Sequence, residues 1–74
     1  MPTERKRLWD RVDRLGDKID EEGYAGRLFW KAAKDQDVDE LERILDEEFQ
    51  FAIPEISGYL DEMRQCLNRL LILA

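Results

Sequence analysis

The chain has 74 residues, of which 41% are charged and 43% are hydrophobic, and its formal net charge is −6. This length suffices for one domain, and we expect a single helical domain over residues 1–74. The chain contains no histidine and one cysteine, Cys66. The composition therefore excludes intramolecular disulfides, Cys/His zinc sites and catalysis by an imidazole base.

The first amphipathic segment predicts a helix over about residues 3–22. Thr3 is a suitable N-cap, and Gly23 is a suitable residue to end the helix. The apolar residues recur at spacings of four, three and four and form one stripe: Leu8, Val12, Leu15 and Ile19. Trp9 lies beside this stripe, so we expect it to lie off the inner face.

Two shorter helices are predicted next, over about residues 25–34 and 37–52. The first carries a wide apolar arc, which is typical of a helix buried on more than one side. The break falls at residues 35–37, where Asp37 can cap the third helix and Glu40 follows at capping-box spacing. Pro54 then suits the first turn of a fourth helix, because proline lacks a backbone N–H group and none is needed at that position.

The fourth helix is predicted over about residues 54–73. Its apolar residues follow a heptad-like spacing: Ile56, Leu60, Met63, Leu67, Leu70 and Ala74. Four helices with short connections predict an all-α fold, either a small four-helix bundle or two helical hairpins. Because so short a chain has a thin core, we expect it to complete that core by homodimerisation.

Residues 32–45 resemble the helix–turn–helix part of an ankyrin repeat. The paired alanines, Ala32 and Ala33, and the apolar pair Ile44 and Leu45 match the spacing of that repeat. Gln36 stands where the repeat has its turn glycine, and the Thr-Pro-Leu-His opening of the repeat is absent. Since stacking needs about three repeats, we interpret the match as a helical hairpin and not as membership of the family.

The N-terminus and the apolar runs indicate a cytoplasmic protein without a membrane segment. The N-terminus is amphipathic and offers no apolar stretch of the length that a signal peptide needs. The longest apolar run covers residues 70–74, whereas a membrane span needs roughly 20 residues. A single thiol also fits a reducing compartment.

We expect no enzymatic activity, no cofactor and no metal site. Asp35, Asp37 and Asp39 are spaced like the first ligands of a calcium loop, but the glycine and the final glutamate of such a loop are absent. Cys66 lies next to the apolar seam, where a structural thiol is the better interpretation because no histidine could activate it.

The remaining large apolar residues predict a protein–protein interaction module, such as an adaptor, an inhibitor or a regulatory subunit. Aromatic and leucine side chains off the main stripes would bind a protein partner, and the last helix would associate with a second copy. The predicted partner-binding residues are Trp9, Trp30, Phe51, Tyr59, Leu67, Leu70, Leu71 and Leu73.

The uneven charge suggests an alternative. Residues 35–48 contain eight carboxylates and one cation, Arg43. Asp39, Glu42 and Asp46 would form an acidic helix face that mimics nucleic acid and inhibits a nucleic-acid-binding protein, as anti-restriction or anti-CRISPR proteins do. The excess of acidic residues disfavours direct binding of nucleic acid, and we expect the basic residues of the first helix to pair locally with Asp10, Asp13 and Asp17.

Overall fold

The computed structural model describes residues 3–49 and 54–73, and within these ranges all regular structure is helical. The helices are α1 (Glu4–Glu21), α2 (Arg27–Lys34), α3 (Val38–Glu48) and α4 (Pro54–Leu73). The predicted all-α fold with four helices is thus confirmed. Helix α2 begins two residues later than predicted, and residues 50–52 of the predicted third helix lie outside the described residues.

The first two helices both end in a Schellman motif. After α1, Gly23 adopts a positive φ of 84°, and its N–H donates to the carbonyl of Asp20. After α2 the same position is occupied by Gln36, with a φ of 53°. Gln36 therefore takes the left-handed conformation that glycine favours, at the position where the ankyrin repeat has glycine.

Hydrogen bonds from side chains begin α1 and α3. Thr3 Oγ1 accepts from the backbone N–H of Lys6 at 3.1 Å, as expected of an N-cap. Asp37 Oδ1 accepts from the backbone N–H of Glu40 at 3.1 Å. The reciprocal half of the predicted capping box is not formed, because the N–H of Asp37 donates to Ala32 and the Glu40 carboxylate accepts from Arg43.

The four helices surround one apolar core. Each helix contacts two others, in the order α1, α2, α3, α4 and back to α1, and α1 packs most extensively on α4. The four helices thus form one compact all-helical unit around a shared core. Its largest fully buried side chains come from all four helices: Val12, Ile19, Phe29, Leu41, Leu45, Ile56, Met63 and Leu67.

Ion pairs between helices show their relative directions. Glu4 pairs with Arg69 and Arg11 pairs with Glu62, so α1 and α4 are antiparallel. Because α1 and α4 are the two longest helices, their contact fixes the length of the bundle, whose principal extents are 35 × 21 × 20 Å. The short hairpin of α2 and α3 then packs across this pair.

Candidate protein interface

Three of the eight residues predicted to bind a partner lie in the core. Trp9 is 5% exposed, Leu67 is fully buried and Leu70 is 3% exposed. The expectation that Trp9 lies off the inner face is wrong, because its ring packs in the core. Its indole N–H finds no hydrogen-bond partner among the described residues. The seam of α4 that contains Leu67 and Leu70 packs within its own chain and is not a free surface.

Two of the other aromatic candidates, Trp30 and Tyr59, are partly covered. Trp30 is half-buried, and its ring meets that of Phe29 edge to face, with ring centroids 5.2 Å apart. Tyr59 is also half-buried and lines a surface groove between α1 and α4. Phe51 lies outside the described residues. Trp30 and Tyr59 therefore contribute at most part of their surface to a partner.

The end of α4 exposes three successive apolar side chains. Leu71 is 42% exposed, Leu73 is 37% exposed, and Ile72 between them is 71% exposed. The sequence prediction named the two leucines but omitted Ile72. Since successive helical residues point about 100° apart, the three side chains spread around the helix and do not form one stripe.

A second exposed apolar region lies at the start of α2 and in the connection that precedes it, and the sequence prediction missed it. Leu28 is 59% exposed and Tyr24 is 42% exposed. Both line a groove of about 220 Å³ between the start of α2 and the end of α3. We call it the α2–α3 groove, and it is lined by apolar side chains with one charge from each helix at its edge: Tyr24, Leu28, Phe29, Ile44, Phe49, Arg27 and Glu48.

The charges on the two walls of the α2–α3 groove have opposite signs. Helix α2 carries Arg27, Lys31 and Lys34 and no acidic residue, which gives a charge of +3. Helix α3 carries six acidic residues and Arg43, which gives −5. Leu28 also lines a neighbouring groove toward the turn, together with Lys31, Glu40 and two carboxylates of the turn, Asp35 and Asp37. An exposed leucine thus lies on the line that separates a basic wall from an acidic wall.

The acidic face of α3 is partly neutralised. Asp39 is exposed and Glu42 is half-buried, but Asp46 accepts a hydrogen bond of 2.7 Å from Arg64 of α4. Arg64 also donates to the carbonyl of Leu45 at 3.2 Å, which fixes the guanidinium against the end of α3. The three carboxylates expected to form one free acidic row are therefore not equivalent.

Arg43 reduces the charge on the other side of α3. Its guanidinium donates to Glu40 and, at 2.6 Å, to Glu47. The hydrogen bonds from Arg43 hold the pKa of Glu40 below its usual value, and the two carboxylates raise the pKa of Arg43. Glu40 and Arg43 therefore stay charged at neutral pH, and α3 presents a mixed-charge surface.

The basic residues of α1 pair differently from what the sequence suggested. Lys6 pairs with Asp10 at 3.5 Å as expected, but Arg11 pairs with Glu62 of α4. Among the described residues Asp13 forms no ion pair. Burial raises the pKa of Asp13, and the neighbouring charges of Asp10 and Asp17 raise it further. The expectation of local pairing is thus correct for Asp10 and wrong for Asp13 and Asp17, neither of which forms an ion pair among the described residues.

The side chains that could act in catalysis or bind a metal ion are dispersed over the described residues. Cys66 is buried, and this burial raises the pKa of its thiol, which disfavours the reactive thiolate. Residues 3–49 and 54–73 bring together no cluster of three potential metal ligands. No helix in these ranges combines the length and the apolar character that a membrane span requires.

No family model matches this chain, and neither the curated proteins nor the solved structures include a significant match. Its function is therefore inferred from the exposed apolar side chains, the groove beside them and the charges on its walls.

Proposed function

We propose that the protein is a small non-catalytic interaction module that binds a protein chain at the α2–α3 groove. The observation that carries this proposal is Leu28, which is 59% exposed beside a groove with an apolar floor. Burying an exposed leucine contributes about 1.5–3 kcal/mol, so a partner that covers it gains binding energy. Adaptors, inhibitors and regulatory subunits all act by such burial, and the free thiol of Cys66 suits a cytoplasmic site of action.

The groove has the anatomy of an interface. Phe29, Ile44 and Phe49 form its floor and are already buried, so they are held in place before a partner arrives. Arg27 and Glu48 lie at its edge, where charges set the orientation of a partner more than its affinity. A preformed apolar floor lowers the ordering cost of binding.

The test is affinity capture from a lysate of the source cells with the tagged chain. We expect a stoichiometric protein that survives elution at high salt, since apolar contacts are not screened. Leu28→Asp should abolish capture, because it places a charge on the exposed apolar surface beside the α2–α3 groove. Leu71→Asp is the matched control, as it alters an exposed leucine at the end of α4. Loss of capture with Leu71→Asp alone would move the interface to that end and contradict the proposal.

The acidic alternative is less well supported by the charges on α3. Phosphate mimicry needs a row of free carboxylates, whereas Arg64 binds Asp46 and Arg43 binds Glu40 and Glu47. We therefore expect the Asp39→Lys, Glu42→Lys double variant to capture the same partner as the wild type. Loss of capture in this variant, together with release of the wild-type partner by salt, would favour the acidic alternative instead.

A further inference from the structure

The α2–α3 groove carries charges that a partner must match on both sides. Arg27 and Glu48 line one end of the groove, and Lys31 and Glu40 line the neighbouring groove toward the turn. Among the described residues, no ion pair involves Arg27, Lys31 or Glu48. Their charges are thus free to act on whatever covers Leu28.

A partner of uniform charge fits this surface poorly. An acidic segment would be attracted by Arg27 and Lys31 of the α2 wall and repelled by Glu40 and Glu48 of the α3 wall. A basic segment would be repelled by the wall of α2 and attracted by the wall of α3. The surface is matched by a partner that has the same two walls in the opposite order, with an apolar line between them.

A second copy of this chain has that arrangement. A two-fold axis that runs along the groove places the α2 wall of one copy over the α3 wall of the other. This axis places Leu28 against Leu28 of the second copy. Each position along the groove then faces the same position of the second copy, on the opposite wall. A two-fold axis across the groove would place basic wall on basic wall, so the charges select the first orientation.

We propose that the partner at the α2–α3 groove is a second copy of the chain, related by a two-fold axis along the groove. Leu28 packs against Leu28 of the second copy, Arg27 faces its Glu48, and Lys31 faces its Glu40, which Arg43 of the same chain also contacts. This inference rests on the proposed function, because it names the protein chain that the groove binds. It also places self-association on α2 and α3 instead of on the seam of α4.

The size of the surface indicates the strength of the dimer. Helices α2 and α3 have eight and eleven residues and are therefore about 12 Å and 17 Å long. Such a face lies at the small end of specific interfaces, which bury about 600–1,000 Å² on each partner. We expect a dimer that dissociates in the micromolar range.

Sedimentation velocity of the full chain from about 1 to 500 μM tests the dimer directly. The wild type should shift from monomer to dimer across this range. Leu28→Asp should raise the dimer dissociation constant at least about tenfold, whereas Leu71→Asp should leave it unchanged. A wild type that stays monomeric at 500 μM, or a dimer lost with Leu71→Asp but not with Leu28→Asp, would overturn the inference.

A complementary charge exchange tests the orientation. The Arg27→Glu, Lys31→Glu variant and the Glu40→Lys, Glu48→Lys variant should each be monomeric, and an equimolar mixture of the two should form a heterodimer. Arg14→Glu and Asp61→Lys, which change exposed charges on other helices, serve as controls that keep the wild-type dimer. Circular dichroism confirms that every variant is folded. Variants that dimerise alone as well as the wild type does, or a mixture that stays monomeric, would contradict the two-fold arrangement.

A photo-crosslinking amino acid at position 28, in the source cells, separates this inference from the proposed function. An adduct of twice the mass of the chain supports the second copy. An adduct with a different protein, and none with a second copy, overturns the dimer but leaves the interaction module standing. Absence of any adduct at position 28 contradicts both.

Discussion

Gly16 lies where α1 packs against two aromatic rings of α2. A Cβ atom at this position would lie 2.7 Å from Phe29 Cε1 and 3.0 Å from Trp30 Cη2. A glycine inside a helix costs about 1 kcal/mol relative to alanine, yet here it makes room for two aromatic rings. The close approach therefore explains a residue that local helix propensity disfavours.

Replacing Gly16 and Gly58 by alanine should have opposite effects on stability. In Gly16→Ala the new methyl group meets the Phe29 ring, which is 1% exposed and has no room to move. Overpacking of this kind costs about 1–3 kcal/mol, which exceeds the gain in helix propensity. Gly58→Ala should stabilise by up to about 1 kcal/mol, because no atom of the described residues lies within 4 Å of its Cβ position. Urea denaturation measures both changes, and a stabilised Gly16→Ala variant would contradict the tight contact.

Trp9 is a core residue that the spacing of apolar side chains did not predict to be buried. The predicted stripe of α1 begins at Leu8, but Leu8 is half-buried and Trp9 is in the core. Trp9, Val12, Gly16 and Ile19 also recur at spacings of three, four and three, and all four are buried. A search for apolar residues alone overlooks this second stripe, because one of its members is glycine.

At the level of helices, α1 and α4 are joined by two ion pairs in a regular register. Glu4 and Arg11 are seven residues apart on α1, and their partners Arg69 and Glu62 are seven residues apart on α4. The sequence could predict the pair of Lys6 and Asp10, because it lies within one helix. It could not predict the pairs between α1 and α4, since these depend on which helices are neighbours.

The pair of Glu4 and Arg69 should make stability depend on pH. Hydrogen bonds from Arg69, the shorter at 2.6 Å, hold the pKa of Glu4 below its usual value. The folded state therefore binds this proton less readily than the unfolded state, and the contribution is present above the unfolded pKa of about 4.3. It is lost as the pH falls through the folded pKa. Glu4→Gln should be less stable than the wild type at pH 7 and indistinguishable from it at the lowest pH at which both still fold.

Asp13→Asn provides the control with the opposite sign. Burial and neighbouring carboxylates raise the pKa of Asp13, so its charged form destabilises the folded state above that pKa. Asp13→Asn should therefore be more stable than the wild type at pH 7, and the difference should shrink as the pH falls through the raised pKa. Thermal unfolding between pH 3 and pH 7 measures both variants. Parallel curves for Glu4→Gln and the wild type would show that the ion pair does not contribute.

For the whole molecule, the sequence predicted the helices better than the faces on which they meet. Caps, glycine and proline act within a few residues, and they place the helix ends correctly at Thr3, Gly23 and Pro54. The sequence also shows the apolar seam of α4, but it does not show which helix the seam packs against. A heptad-like seam suits a second copy as well as a neighbouring helix of the same chain. The exposed Leu28 was missed for the same reason, because exposure depends on the packing of all four helices.

Substitutions along α4 can distinguish a seam that packs within the chain from one that packs between copies. Leu67 is fully buried and Leu71 is 42% exposed, although both are leucines of the same helix. Leu67→Ala should cost about 2–5 kcal/mol, a large part of the roughly 4–11 kcal/mol expected for a chain of this size. Leu71→Ala should change stability by less than about 0.5 kcal/mol.

The dependence of these effects on protein concentration provides the decisive measurement. Because Leu67 is covered by its own chain, the loss of stability in Leu67→Ala should be the same at about 1 μM, where the proposed dimer has largely dissociated, and at higher concentrations. A loss that appears only at high concentration would mean that the seam of α4 is buried between copies. In that case Leu67 and Leu70 would be interface residues, and the core around them would form only in the dimer.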